Sequence, residues 1–236
     1  KAPPPSSFSN PSILQDWSKR PFQYSSAINP QVAESIMDIL WGMMMSINNG
    51  GNQEDDPLTL LDPTCGSGTF LALAMDRGMR VEAYDYNPQC VEGSRRNMEY
   101  LFSDRNAGSN LLDKLLQVSQ HDSTKPFPST SSSTDSHKID CVIANLPWGI
   151  NSSVDDDDQN NVKILQSVRN RIDSNTPCAF VTRGAEMDFG GFEVLGQAHV
   201  PQRGFQLPKG NKKKKGVNEL ERNGRNQCVV TIARAN

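Results

Sequence analysis

Short apolar runs alternate along this chain with stretches of helical spacing. Leu60-Leu61-Asp62, Arg80 to Asp85, Ile139 to Asn145 and Pro177 to Thr182 are brief, largely apolar and polar at their far ends, the pattern of strands buried on both faces. Between them, Pro30 to about Ser46 carries Val32, Ile36, Ile39, Leu40 and Met43 at helical spacing, with Asn29 as N-cap and Pro30 at the first helical position. Phe70, Leu71, Leu73, Ala74 and Met75 mark a second helix that Gly78 closes. Pro88 to about Phe102 predicts a third, with Val91, Met98 and Leu101 inward and Arg95 and Arg96 on the solvated side, and Val162 to Ile172 another. Leu115 to Ser123, Phe192 to Ala198 and Gln227 to Ala233 complete the strands. Strand, helix, strand, helix is the order of a doubly wound α/β fold.

The polar gaps between these elements set the expected organisation. Residues 1–16 are rich in Pro and Ser and read as a flexible linker before a single domain over residues 17–236. The chain begins without Met, so a piece of something longer is expected. Residues 123–138 form a low-complexity insert expected to be mobile, Asp155 to Asp158 a solvated acidic run, and residues 204–226 a basic loop around Lys212, Lys213, Lys214 and Lys215.

Composition narrows the function classes. The 236 residues carry 36% hydrophobic side chains and a net charge of −3, so nothing global marks a nucleic-acid binder, and phosphate attraction falls to the lysine run. The five cysteines are widely spaced, with no Cys-x-x-Cys pair and no nearby His, so no metal site is expected and buried free thiols are. His121 has no evident partner and reads as solvated. No signal peptide or membrane-length apolar run is visible, which gives the expectation of an intracellular protein, in cytoplasm or nucleus.

The chemistry centres on Leu60-Leu61-Asp62-Pro63-Thr64-Cys65-Gly66-Ser67-Gly68-Thr69-Phe70-Leu71. Two glycines one residue apart let a backbone approach a ligand closely, and the helix start behind them offers unpaired N–H groups. No Lys-Ser or Lys-Thr follows, which excludes a P-loop, and Leu71 occupies the place of the third glycine in a dinucleotide fingerprint. Asp85 ends the second strand 17 residues beyond Gly68, where such folds place a carboxylate for ribose hydroxyls.

The stretch from Asp62 to Thr69 resembles motif I of the class I S-adenosylmethionine-dependent methyltransferases, in the form found in enzymes that methylate amino groups. The resemblance implies a Rossmann-like sheet of seven strands, mostly parallel with the last antiparallel, and S-adenosyl-L-methionine as cofactor. It implies cofactor contacts at Asp62, Pro63, Thr64, Cys65, Gly66, Gly68, Thr69 and Phe70, at Asp85 and Tyr86, and at Asp122 and Ser123 after the third strand. Tyr24 and Ser25 lie in the segment that covers the methionine end in such enzymes.

Asn145-Leu146-Pro147-Trp148-Gly149 resembles motif IV of the same amino-methyltransferases, with Asn145 also touching the cofactor. An exocyclic nucleobase amine is a weak nucleophile because its lone pair is delocalised into the ring. Acceptors on its N–H groups, here the Asn145 side-chain oxygen and the Leu146 carbonyl, would aim that lone pair at a methyl group, with Pro147 fixing the turn and Trp148 stacking on the base. Asn, Leu, Pro, aromatic, Gly is similar to the THUMP-associated RNA guanine-N2 methyltransferases, and Ser25 to Met37 resembles the same group. The expected substrate is therefore guanine N2 in a tRNA-like RNA, with RNA favoured over DNA. The group's RNA-capturing THUMP domain has no counterpart in this sequence, so a separate RNA-binding domain or partner subunit is expected. Adenine N6, a protein glutamine amide and an inactive cofactor-binding scaffold are the alternatives.

Overall fold

The computed structural model describes residues 12–24, 27–48, 56–103, 111–128, 137–147, 157–182, 187–201 and 227–236. Strands β1 (Thr59–Asp62), β2 (Arg80–Asp85), β3 (Leu116–Gln120), β4 (Cys141–Asn145), β5 (Pro177–Thr182), β6 (Phe192–Pro201) and β7 (Gln227–Ala235) form one sheet in the order β3-β2-β1-β4-β5-β7-β6. All pairings from β3 through β5 are parallel, whereas β7 runs antiparallel to both β5 and β6. This is the seven-stranded Rossmann-like sheet that the sequence led us to expect. The order reverses between β1 and β4, and ligands of open α/β sheets bind at the carboxyl ends of the strands at such a point.

Alternation along each strand assigns the two cores. Leu60, Cys141, Ile143, Ala179 and Val181 point to one face, into a core with α1 (Ser12–Trp17), α2 (Pro30–Asn48), α3 (Thr69–Asp76) and α4 (Pro88–Phe102). Their neighbours Leu61, Val142, Ala144, Cys178 and Phe180 point to the other, against Ile164, Leu165 and Val168 of α6 (Asp157–Arg171). Strands buried on both sides therefore read as unbroken apolar runs. Glu82 lies on this second face, where it accepts from the Tyr84 hydroxyl at 3.1 Å and pairs with Arg171 of α6 at 3.0 Å.

Several boundaries differ from the sequence reading. Ser12–Trp17 is helical, and Ile13 and Trp17 are buried, so packed structure begins within the stretch read as linker. Trp17 supplies the apolar anchor, with the Arg20 guanidinium 4.4 Å from its ring centroid. On α2 the buried stripe is Ala33, Ile36, Met37, Leu40 and Met44, leaving Ile39 47% exposed, because the helix is rotated slightly from the face its larger residues suggested. A short helix, α5 (Leu111–Leu115), precedes β3, which ends at Gln120 rather than Ser123.

The start of the expected mobile insert is also packed. Ser123 is buried, His121 meets the Tyr84 ring edge-on while Phe127 packs at a tilt against both, and Ser167 of α6 donates to the Lys125 carbonyl. His121 thus sits in an aromatic cluster rather than free in solvent. Among the described residues no helix is long and apolar enough to cross a membrane.

Candidate functional site

The glycine turn crosses the carboxyl end of β1 and is fixed by its neighbours on both sides. Asp62, the last residue of β1, is 1% exposed, and its Oδ1 accepts the Thr64 N–H at 3.1 Å. Burial pushes its carboxyl up to about 8, with the nearby Asp85 charge adding to the rise. The Cys65 N–H donates to the Tyr84 carbonyl at 2.9 Å, which ties the turn to β2. Gly66 and Gly68 have φ of 54° and 86°, left-handed values that glycine adopts without the steric cost of a side chain. A β-carbon at Gly68 would meet Ser94 Cβ at 3.2 Å and Met98 Cε at 3.3 Å, so this glycine lets α4 close on the turn.

Asp85 organises the same turn from β2. Its Oδ2 accepts the Gly66 N–H at 2.8 Å and its Oδ1 accepts the Asn87 N–H at 2.9 Å. Burial raises its pKa, opposed by those two backbone hydrogen bonds. The Cys90 thiol lies beside the same carboxylate, which two amides lock in place as a fixed acceptor for a vicinal diol. The adjacent Tyr86 ring is 75% exposed at the strand end.

The other expected contacts surround this turn. Tyr24 is half-buried with its Cδ1 3.9 Å from the place of a Gly66 β-carbon. Burial, then the neighbouring Cys90 thiol, raises its phenol pKa. Asp122 follows β3, and its Oδ1 accepts the Thr124 hydroxyl at 2.6 Å and the Thr124 N–H at 3.1 Å, which hold its pKa low. Ser123 donates its hydroxyl to the Pro63 carbonyl at 2.7 Å, so its proton braces the ends of β1 and β3. Thr69, Phe70 and Cys65 are buried, so these residues can offer a ligand in the turn little beyond backbone.

Asn145 ends β4 next to the turn. The Thr64 hydroxyl donates to its backbone carbonyl at 3.1 Å, a direct link between the two sequence motifs across 81 residues. The Leu146 N–H donates to the Val181 carbonyl at 3.0 Å, and the Leu146 side chain is 1% exposed. That buried side chain explains an apolar residue here. The Pro147 carbonyl accepts Asn161 Nδ2 of α6 at 3.2 Å. Ser25, Trp148 and Lys212, Lys213, Lys214 and Lys215 lie outside the described residues.

Three residues of this site escaped the sequence reading. Asn97 of α4 is fully buried and joins the segment at Phe22 to the Ser67 carbonyl of the turn. Gly93, one turn earlier, lies under the Phe22 ring, and Asn161 supports Pro147. The available signal was an Asn and a Gly inside a helix, residue types that helix interiors disfavour unless packing requires them. Among the described residues no group of His, Cys, Asp and Glu could hold a metal ion.

No protein-family model matches the chain. Over 137 residues it is 28% identical to a tRNA (guanine(10)-N2)-dimethyltransferase of Methanothermobacter thermautotrophicus, covering 57% of this chain and 32% of that protein. Among solved structures, TrmN from Thermus thermophilus superposes with a TM-score of 0.54 at 16% identity, covering 94% of this chain and 53% of that one. The rRNA methyltransferase AviRa from Streptomyces viridochromogenes gives a TM-score of 0.50 at 16% identity, covering 88% and 85%. The chain spans about a third of the length of the curated relative and about half of TrmN. Identities this low establish a shared fold, and the chain has the Rossmann-like fold of class I methyltransferases, with sequence similarity to a tRNA guanine-N2 methyltransferase.

Proposed function

We propose that this protein is an S-adenosylmethionine-dependent methyltransferase acting on an exocyclic amine of a nucleobase in RNA, with guanine N2 as the base. The observation that carries the reading is the hydrogen bond from Thr64 to the Asn145 carbonyl, which sets an amide-bearing strand end directly against the glycine turn. The residues present fit the cofactor. Gly66 leaves the turn open beneath Tyr24, and Asp85 offers its paired acceptors beside it. Asp62 and the backbone of the turn would lie at the methionine end, Asp122 at the adenine end. The cofactor supplies a methyl group made electrophilic by its sulfonium.

This chain's own part is positional. Asn145 Oδ1 and the Leu146 carbonyl accept from the two N–H groups of the base amine and turn its lone pair toward the methyl. Because a carboxamide is no base near neutral pH, Asn145 acts by orientation and electrostatics, and the methylated amine gives up its proton to water after transfer. The turn can hold that geometry because its backbone is tied to Thr64, Val181 and Asn161. Trp148 stacks on the base, which must be unpaired or extruded to enter. The lysine run attracts RNA phosphate, and a separate RNA-binding domain or partner subunit supplies the remaining affinity.

The test is methyl transfer from labelled cofactor to total RNA, genomic DNA and protein in parallel, followed by digestion and mass analysis. N2-methylguanosine supports the proposal. N6-methyladenosine would reassign the base, and label confined to glutamine would reassign the substrate class. Cofactor binding without transfer to any pool would mean that the chain needs a separate RNA-binding domain or partner subunit, or that it is the scaffold.

A further inference from the structure

The segment preceding α2 is attached to the site through one side chain. Asn97 Oδ1 accepts the Phe22 N–H at 2.9 Å, and Asn97 Nδ2 donates to the Phe22 carbonyl and to the Ser67 carbonyl, both at 2.9 Å. Oδ1 and both N–H groups of the amide are thus placed on backbone, in a residue with no exposed surface. The Phe22 ring lies on α4 so closely that a β-carbon at Gly93 would approach it to 2.2 Å. Tyr24, two residues on, stacks with Phe22 at 6.3 Å between ring centroids and reaches Gly66.

We propose that Asn97 is a positioning residue that couples the 20–24 segment to the glycine turn, so that Tyr24 is held over Gly66 before any ligand arrives. Tyr24 is the contacting group and Asn97 acts through it. Gly93 has the companion role of admitting the Phe22 ring. This rests on the cofactor reading above for its consequence and on the hydrogen bonds alone for its structural part. A site whose cover is in place beforehand spends less binding energy on ordering it.

The variants are Asn97→Asp and Gly93→Ala, measured beside the wild-type chain. Asn97→Asp keeps the acceptor for the Phe22 N–H but turns a carboxylate toward two carbonyls, while Gly93→Ala pushes the Phe22 ring off α4 and keeps the Asn97 side chain and its bond to the Ser67 carbonyl. Amide hydrogen exchange over residues 20–24, in protein without ligand, should accelerate in both. Affinity for S-adenosylhomocysteine should fall by about tenfold in both. In a Tyr24→Ala background the same changes should cost little further affinity, since coupled residues are not additive.

Wild-type exchange over residues 20–24 in these variants would overturn the coupling. So would affinity losses that add fully to that of Tyr24→Ala, the result expected of general destabilisation. If Asn97→Asp does not fold, Gly93→Ala decides by the same readouts. A wild-type chain that binds no S-adenosylhomocysteine would remove the cofactor reading, and the exchange measurement would then decide the coupling alone.

Discussion

Asn145 and Asp85 separate two roles that can be tested one side chain at a time. Asn145→Ala keeps the backbone carbonyl that Thr64 holds, so the turn should survive. Turnover should fall by about 100-fold or more, with S-adenosylhomocysteine affinity within about twofold of wild type by calorimetry. Asp85→Ala removes the acceptor for Gly66 and Asn87 together, and cofactor affinity should fall by about 100-fold or more. Asp62 makes a pH prediction. Its folded pKa, about 8, lies above the ordinary carboxylate value, so the native state binds its proton more tightly than the unfolded chain. Its contribution to stability is fully present below the unfolded value and is lost as pH rises toward 8. Asp62→Asn should therefore gain stability relative to wild type between pH 4 and 8, by up to about 1.4 kcal/mol per pH unit, and denaturant titrations at several pH values would show it. A constant difference would mean that Asp62 is ionised in the native state.

Among the elements, α4 carries the most information for the site. Its N-cap Asn87 accepts the Gln89 N–H at 2.9 Å and also donates its own N–H to Asp85. Its inward face meets the glycine turn through Ser94 and Met98, and Phe22 through Gly93 and Asn97. Gly93→Ala should cost about 1–3 kcal/mol by overpacking against the Phe22 ring. An alanine there is otherwise a better helix former than glycine, so a stabilised variant in chemical denaturation would show that the ring moves away freely. The existence of this helix was legible from Asn87-Pro88 and its apolar spacing. Its role was not, because Gly93 and Asn97 are informative only beside a segment some 70 residues earlier.

Across the whole molecule, the five thiols report on the integrity of the sheet. Cys65, Cys90, Cys141, Cys178 and Cys228 are all buried, and none of them is joined in a disulfide. Burial holds Cys65 and Cys141 well above the ordinary thiol value and pushes Cys90 up to about 12. A thiol reagent at pH 8 should label none of them within minutes in the native protein and all of them in denaturant. Rapid labelling of one site without denaturant would locate an opening in the fold. The sheet, its strand order apart, was readable in the chain because strands buried on both faces are largely apolar, even where one holds a paired charge such as Glu82, and are bounded by polar residues. The glycine turn and the Asn-Leu-Pro strand end were readable for a related reason, since each needs residue types that few other positions tolerate. What the chain did not disclose were relations between distant residues: Thr64 bound to Asn145, Ser123 to Pro63, Asn97 to Phe22 and Ser67, and His121 drawn into an aromatic cluster. Hydrogen bonds and ring contacts of this kind depend on angstrom distances that arise only when the parallel strands pack, and local spacing carries no trace of them.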